Sequence, residues 1–330
     1  TSTPSNLLMS TADLLDIPES ETEALLGSAH TAKRPAPEPA GAPEPAKRTV
    51  TDADRLKTLS TRLRTLPTWF PSADGAVWEN VTRPGKSKRT LFVLKSSDGG
   101  SDKFCMIGRV MAARLSRTAL EAPSQFNEVS DTHTDLQVHF SMRSSDVDGW
   151  PTFTDDAIKA TEQLESIRQR AIKDAMVPLI KADDEKVIGL PSNKVQALRK
   201  KTPEKLAEAI DDSWGGTSMN ENKDIVRMKR RCYDTTDLND HAVFMNKWLS
   251  VMNSNGEPVN YIEDDTAVER GDLALVWFRA LAQITAGNFH VSLEPHSVMV
   301  LQKGSDGGGG AGSASFAASL VKAMQRGDQV

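Results

Sequence analysis

One stretch dominates the pattern of apolar and polar positions along the chain. Almost every side chain in residues 272–287 is apolar, with Arg279 and Gln283 among the few polar breaks. Asp272 is suited to accept the free backbone N–H groups of a first helical turn, and Gly287 is suited to the left-handed conformation that ends a helix. A helix that is apolar on all faces is normally buried, and this one is too short to cross a bilayer. The stretch therefore predicts the central helix of a helical core.

Helical spacing recurs in several other segments. Leucines repeat every three or four positions over residues 56–66, which places them on one face of a helix that Pro67 ends. The same reasoning predicts helices at 155–181, 193–201, 203–210, 240–252 and 313–325.

Residues 83–142 favour short strands instead. Segments 90–95 and 103–107 are joined by Ser-Ser-Asp-Gly-Gly-Ser-Asp, a sequence typical of turns, and so predict a β-hairpin. Residues 136–142 alternate apolar and polar side chains and predict one more strand. The lead-in at 83–89 is rich in Lys and Arg and is interpreted as a basic loop at one end of the hairpin.

The predicted fold class is therefore predominantly α with small β-hairpin elements. Residues 1–50 are expected to form a flexible or extended N-terminal arm, and residues 51–303 a helical core containing the basic hairpin region. Residues 304–330 are expected to form a Gly-rich linker followed by a C-terminal arm helix. The helical core would thus lie between two extended arms.

Each predicted arm carries apolar side chains that a partner would have to cover. Adjacent leucines stand beside acids in two N-terminal clusters, and an amphipathic pattern follows the C-terminal glycines. A Pro/Ala-rich tract at 32–48 favours a semi-rigid, extended spacer. The expected subunit-contact residues are Leu14, Leu15, Leu25, Leu26, Phe316 and Leu320.

Charge is segregated along the chain, although the net charge is only −5. Residues 1–31 contain five acids and no Lys or Arg, whereas residues 83–117 contain nine bases and two acids. Segregation of this kind can place a polyanion on one side of a protein and orient protein neighbours on another. The alternative interpretation is that charges cluster by chance on solvated surfaces.

The motifs give little support to an enzyme. Gly85-Lys86-Ser87 resembles the end of a phosphate-binding loop, but Asn80 stands where the preceding glycine is needed. The two cysteines form no metal or redox pattern, and no His-Glu-x-x-His motif occurs. The sequence therefore predicts a protein that is not an enzyme, with no cofactor, no metal and no membrane partner.

Basic clusters favour nucleic acid as a partner. Arginine pairs two phosphate oxygens with its planar fork and stacks on bases, and such contacts need not read sequence. Trp69, Phe70 and Trp78 lie near the basic loop in the sequence and are candidate stacking surfaces, with burial in the core as the alternative. The predicted RNA-binding residues are Lys86, Lys88, Arg89, Arg109, Arg114, Arg117, Arg227, Lys229 and Arg230.

The combination of a helical core with arms at both ends resembles the coat and nucleocapsid proteins of filamentous RNA viruses. The Pro/Ala-rich tract is also similar to the proline-alanine-serine-rich coating proteins of polymycoviruses. The resemblance concerns architecture and composition at residues 1–50 and 304–330. The Arg…Phe-Asp-Phe pattern of plant flexuous-virus coats is absent, so no individual residue is carried over from a family.

The leading hypothesis is a structural coat protein that polymerises through its arms into a helical filament. It would bind single-stranded RNA in a basic groove without reading sequence, and it would reside in the virion and the host cytoplasm. The alternative is a non-enzymatic adaptor whose acidic, leucine-rich N-terminal arm docks on a partner.

Overall fold

The computed structural model describes most of the predicted core. Its described ranges are 51–83, 88–121, 134–143, 147–183, 186–215, 218–219, 224–232 and 240–304. Residues 1–50 and 305–330 of the predicted arms lie outside these ranges. All predicted subunit-contact residues also lie outside them: Leu14, Leu15, Leu25, Leu26, Phe316 and Leu320. The predicted RNA-binding residue Lys86 lies outside them too.

The described ranges contain both strands and helices. The strands are β1 (Val77–Asn80), β2 (Arg89–Lys95), β3 (Phe104–Arg114), β4 (Thr134–Ser141), β5 (Ile225–Cys232), β6 (Ser250–Met252), β7 (Leu273–Thr285) and β8 (Asn288–Gln302). The helices are α1 (Asp52–Leu63), α2 (Arg117–Glu121), α3 (Phe153–Arg170), α4 (Val177–Lys181), α5 (Ser192–Arg199), α6 (Pro203–Asp212) and α7 (His241–Lys247). A π-helical turn, Ala171–Met176, joins α3 to α4.

The prediction of a predominantly α fold is wrong, because the centre of the molecule is an eight-stranded, mostly antiparallel sheet. The apolar stretch expected to be its central helix forms β7 and the turn that follows. Alternate residues of β7 enter two different cores: Ala274 and Val276 face one, and Leu273 and Leu275 face the other. A strand buried on both faces reads as a continuous apolar run, which periodicity alone does not distinguish from a buried helix.

The two residues expected to cap that helix serve the sheet instead. The carboxylate of Asp272 accepts hydrogen bonds from the backbone N–H groups of Glu269 and Gly304, each at 2.9 Å. Gly287 does adopt a positive φ of 90°, and Ala286 before it has a φ of 48°. Two consecutive positive φ values are those of a two-residue hairpin turn, which here joins β7 to β8.

The predicted hairpin of β2 and β3 is also wrong, although both strands exist. β2 pairs with the C-terminal half of β7, where Thr90 is opposite Ile284. β3 pairs with the N-terminal half of β7, where Gly108 is opposite Ala274. β2 and β3 thus pair end to end along the same edge of β7. The turn sequence between them joins two strands that lie in line and not side by side.

Five strands curl into a partly open barrel. β3, β4 and β5 form an antiparallel meander, and β7 pairs with both β3 and β8. Residues on both sides of the short gap at 216–217 bridge β8 and β5. Gly215 donates to the carbonyl of Phe289 at 2.8 Å, and the N–H of Arg227 donates to the carbonyl of Ser218 at 2.6 Å. We call the side of the sheet that faces the larger core its inner side, and the opposite side its outer side.

Helices cover both sides of the sheet. α3, α5 and α6 bury apolar residues in the larger core on the inner side. α1 packs Leu56 and Leu63 into a smaller core on the outer side, with Trp69 and Trp150. Thr51 begins α1 with a capping box, which confirms the helix predicted from the leucine spacing. α1 and the smaller core therefore cover the middle of the outer side. Polar side chains occupy its two ends.

Candidate nucleic-acid interface

Charged side chains gather on the outer side of β3, β4 and β5. β5 alternates strictly: Val226, Met228, Arg230 and Cys232 lie on the inner side, and Arg227, Lys229 and Arg231 point outward. We call this outer surface the basic face. It consists of Arg109, Arg114, Asp135, Gln137, His139, Arg227, Lys229 and Arg231.

The register of the strands brings these residues side by side. Across β4 and β5, Asp135 is opposite Arg231, Gln137 is opposite Lys229 and His139 is opposite Arg227. On the other side of β4, Gln137 is opposite Arg114. Basic residues on β3 and β5 therefore flank the shorter polar residues of β4.

A β-bulge lets β3 contribute two arginines to the basic face. Arg109 and Arg114 are five positions apart and would lie on opposite sides of a regular strand. The register shifts between Val110 and Ala112, where one extra residue is inserted. Both arginines consequently lie on the outer side.

The main chain holds both β3 arginines in place. Arg114 donates from Nε to the carbonyl of Ala119 at 2.8 Å and from Nη2 to that of Leu120 at 2.9 Å. Arg109 donates from Nη1 to the carbonyl of Gly271 at 3.2 Å. Backbone carbonyl oxygens thus help to position both guanidinium groups.

A single acid lies among these bases. Asp135 is 3% exposed, and its carboxylate lies 2.6 Å from Nζ of Lys229 and 2.9 Å from Nε of Arg231. Burial raises the pKa of Asp135, but the hydrogen bonds and charges of Arg231 and Lys229 outweigh burial and hold this pKa below its usual value. Asp135 is therefore ionised at neutral pH.

His139 lies at the centre of the basic face and is only 5% exposed. Burial lowers the pKa of His139 to about 4, and the nearby charge of Arg227 lowers it further in the same direction. The imidazole is thus neutral at neutral pH. The positive charge of the face comes from its arginines and its lysine.

The structure divides the predicted RNA-binding residues into two groups. It brings Arg109, Arg114, Arg227 and Lys229 together on the basic face. Arg109 and Arg114 lie on β3, whereas Arg117 begins α2. The other described members lie elsewhere: Lys88 and Arg89 are at the far end of β7, and Arg230 is on the inner side of β5.

Arg230 stabilises the seam between β5 and β8. Its Nη1 lies 2.8 Å from Nδ1 of His296, and its guanidinium lies 5.7 Å from the ring centre of Trp248. Its Nη2 donates to the carbonyl of Lys247 at 3.3 Å. The run from Arg227 to Arg231 therefore contributes three outward cations and one inward cation.

The sequence reasoning missed Arg231 and the three polar residues of β4. Period-two alternation in β4 and β5 was the available signal, since it places alternate residues on one side of a strand. The aromatics considered for stacking lie in the cores: Trp69 is 1% exposed and Phe70 is fully buried. Trp78 packs against the larger core and donates from Nε1 to the carbonyl of Ile167 at 3.1 Å.

A second group of arginines lies on the outer side at the opposite end of the sheet. There Arg89 donates to Oε1 of Gln283 at 2.6 Å, and Gln283 donates to Oγ of Ser292 at 2.7 Å. Arg279 forms an ion pair with Asp102. We call this surface the paired face; it consists of Arg89, Asp102, Arg279, Gln283, His290, Ser292 and Glu294.

Glu294 adds a further acid to the paired face. Burial raises the pKa of Glu294, while the charges of Arg230, Arg89 and Arg279 act in the opposite direction. The arginines of this face thus lie among two acids and an amide. They form a compact polar network.

The described ranges contain no group of three or more His, Cys, Asp or Glu residues placed to hold a metal ion. No helix among the described residues is long and apolar enough to span a membrane.

Comparisons with known proteins leave the family open. No family model matches the chain, and no curated protein matches it. Among solved structures, it is similar to the single-stranded DNA-binding protein from bacteriophage Enc34, with 10% identity and a TM-score of 0.27 over 73% of this chain and 98% of that one. The same phage protein in complex with single-stranded DNA gives 11% identity and a TM-score of 0.29 over 68% of this chain and 96% of that one. TM-scores this low establish neither a shared fold nor a shared function.

Proposed function

We propose that this protein binds single-stranded nucleic acid on the basic face without reading its sequence. The observation that carries the proposal is the charge of this face, where five cations on neighbouring strands surround one acid. They are Arg109, Arg114, Arg227, Lys229 and Arg231. Nucleic-acid backbones bind such surfaces mainly through phosphate contacts, which are independent of sequence.

The shape of the sheet is compatible with this function. Five-stranded, partly open barrels of the OB type use the outer surface of their second and third strands to bind oligonucleotides. In the barrel described above, the second and third strands are β4 and β5, which carry Gln137, His139, Arg227 and Lys229. The similarity to OB barrels is architectural, and the function proposed for this surface depends on its side chains, because one fold hosts many functions.

The side chains also indicate the mode of binding. The outward positions of β4 and β5 hold no Trp, Tyr or Phe. Bases would therefore stack on arginine guanidinium planes, and phosphate contacts would supply most of the affinity. Weak dependence on sequence and strong dependence on salt are expected.

The finer hypothesis of a filament-forming coat protein for RNA remains a prediction. It depends on the arms, which lie outside the described residues. The basic face alone does not distinguish RNA from DNA, because it offers phosphate contacts to both.

Fluorescence anisotropy tests the proposed function. Labelled single strands of DNA and RNA and a DNA duplex, each of about 20 nucleotides, are titrated with protein from about 50 to about 200 mM salt. Single strands are expected to bind more tightly than the duplex. Their log affinity should fall against log salt with a slope of roughly −2 to −3.5, since about 0.7 is lost per phosphate contact on a single strand.

Two results would contradict the proposal. One is the absence of binding at low salt. The other is binding whose strength does not change with salt, because five surface cations cannot bind a polyanion without releasing counterions.

A further inference from the structure

We infer that Asp135 limits the affinity of the basic face for nucleic acid. This inference rests on the proposed function and concerns the same surface. Asp135 is the only acid in the three strands that form the face, which also contain six Arg or Lys residues. Its carboxylate would reduce the charge available to phosphates at one end of the face.

The geometry places Asp135 between two cations of β5. Lys229 and Arg231 both point outward and converge on the carboxylate, at 2.6 Å and 2.9 Å. Arg231 binds it with two nitrogens, since Nη2 also donates to Oδ2 at 3.3 Å. A carboxylate bound in this way occupies the position that a phosphate would take between the same two side chains.

The two cations remain accessible while Asp135 holds them. The side chains of Lys229 and Arg231 are 46% and 44% exposed, whereas that of Asp135 is 2% exposed. An incoming phosphate can therefore reach both cations, but it meets a pair whose charge is already half neutralised. Arg109 and Arg227 lie farther along the face, beyond the end of β4 that carries Asp135.

Burying the carboxylate of Asp135 costs free energy, and an uncharged residue at this position of β4 would avoid that cost. Asp is depleted in strands, and burying an ionised carboxylate is unfavourable without partners. The other outward residues of β4 are uncharged at neutral pH: Gln137, His139 and Ser141. An acid at this place thus tunes the charge of the surface as well as ordering Lys229 and Arg231.

The test compares two carboxylates in the anisotropy assay with single-stranded DNA. Asp135→Asn removes the acid of the basic face, and Asp102→Asn removes the partner of Arg279 on the paired face. Both variants raise the net charge by one. Asp135→Asn is expected to tighten binding about fivefold to tenfold at low salt and to steepen the salt slope by roughly 0.7 to 1. Asp102→Asn should leave the affinity within about twofold.

Equal tightening by the two variants would overturn the inference, because net charge would then explain the effect. Unchanged or weaker binding by a folded Asp135→Asn variant would also overturn it. Circular dichroism and the melting temperature establish whether the variant is folded.

A second comparison does not depend on the stability of the Asp135→Asn variant. With Asp135 in place, Lys229→Gln should weaken binding by less than half as many fold as Arg227→Gln, because Asp135 binds Lys229 at 2.6 Å, whereas Arg227 lies opposite His139 and farther from this carboxylate. Equal losses contradict the role of Asp135 and leave the proposed function intact. No loss in either variant contradicts the proposed function itself.

Discussion

Two surfaces on the same side of one sheet carry arginines, and they differ in what surrounds those arginines. On the basic face, five cations lie on strands that contain one acid, Asp135, which binds Lys229 and Arg231. On the paired face, Arg279 is bound to Asp102, Arg89 donates to Gln283, and Glu294 lies nearby. The ratio of cations to acids in these strands therefore distinguishes the surface proposed to bind a polyanion from the one that forms a polar network.

The smaller core separates these two surfaces. α1 covers the outer side of the first residues of β7, where Leu273 and Leu275 pack against Leu63 and Trp69. A charge change on one face should consequently have little effect on the other, since the apolar side chains of the smaller core lie between them. Variants that change one face at a time test this difference.

The largest effect is expected from reversing charge on the basic face. Arg227→Glu combined with Lys229→Glu should weaken the binding of single-stranded DNA by at least about 100-fold, equal to about 3 kcal/mol, because two attractive contacts become repulsive. Anisotropy at low salt measures the loss.

The matched variant changes the paired face. Arg279→Gln should leave the affinity within about twofold and instead lower the melting temperature, since Asp102 loses its partner. If Arg279→Gln weakens binding as much as the double variant does, the distinction between the two faces is wrong.

A smaller effect is expected from lowering the pH, which should destabilise the folded protein through one histidine on each face. The pKa of His139 is lowered to about 4, by burial and then by Arg227. Burial and Arg89 also lower the pKa of His290 on the paired face. An unfolded histidine has a pKa of about 6.5, so the unfolded state takes up protons first as the pH falls. Each histidine therefore contributes fully to the free energy of unfolding above about pH 6.5, and this contribution is lost progressively as the pH falls below that value.

For His139 the loss extends from about pH 6.5 to about pH 4 and is on the order of 3 kcal/mol in total. Urea unfolding at about pH 7.5 and about pH 5 measures it, and His139→Gln and His290→Gln should each reduce the pH dependence. Bound oligonucleotide should offset acid destabilisation through His139 alone, because a nearby phosphate raises its pKa. If bound oligonucleotide offsets the acid destabilisation equally through His290 on the paired face, binding on the basic face is contradicted.

Several elements could be predicted from the sequence because local signals determine them. The leucine spacing and Thr51 predict α1, and Thr202 followed by Pro203 predicts the start of α6. The left-handed conformation of Gly287 was also predicted, although it occurs in a hairpin turn.

The central strand could not be predicted from local signals. Its apolar run is continuous because two cores bury opposite sides of β7, and burial on both sides is a property of the whole fold. The pairing of β2 and β3 with β7 likewise depends on residues almost two hundred positions away, as in the contact of Thr90 with Ile284. Long-range pairing of this kind leaves no mark in a short window of sequence.

The candidate site could be predicted in part. The basic clusters at 109–117 and 227–231 were found from composition, and four of the predicted residues share one surface. The bulge that turns Arg109 and Arg114 to the same side, and the register that sets Asp135 against Lys229, depend on strand pairing. The excess of cations on this face is visible only after the strands are assembled.

Lysine footprinting locates bound nucleic acid most directly. The protein is acetylated with and without single-stranded DNA, and mass spectrometry measures the modification of each lysine. Lys229 on the basic face should be protected, and the exposed Lys200 and Lys201 near α5 should be modified equally in both samples. Protection of Lys200 and Lys201 with no change at Lys229 would contradict the assignment of nucleic-acid binding to the basic face.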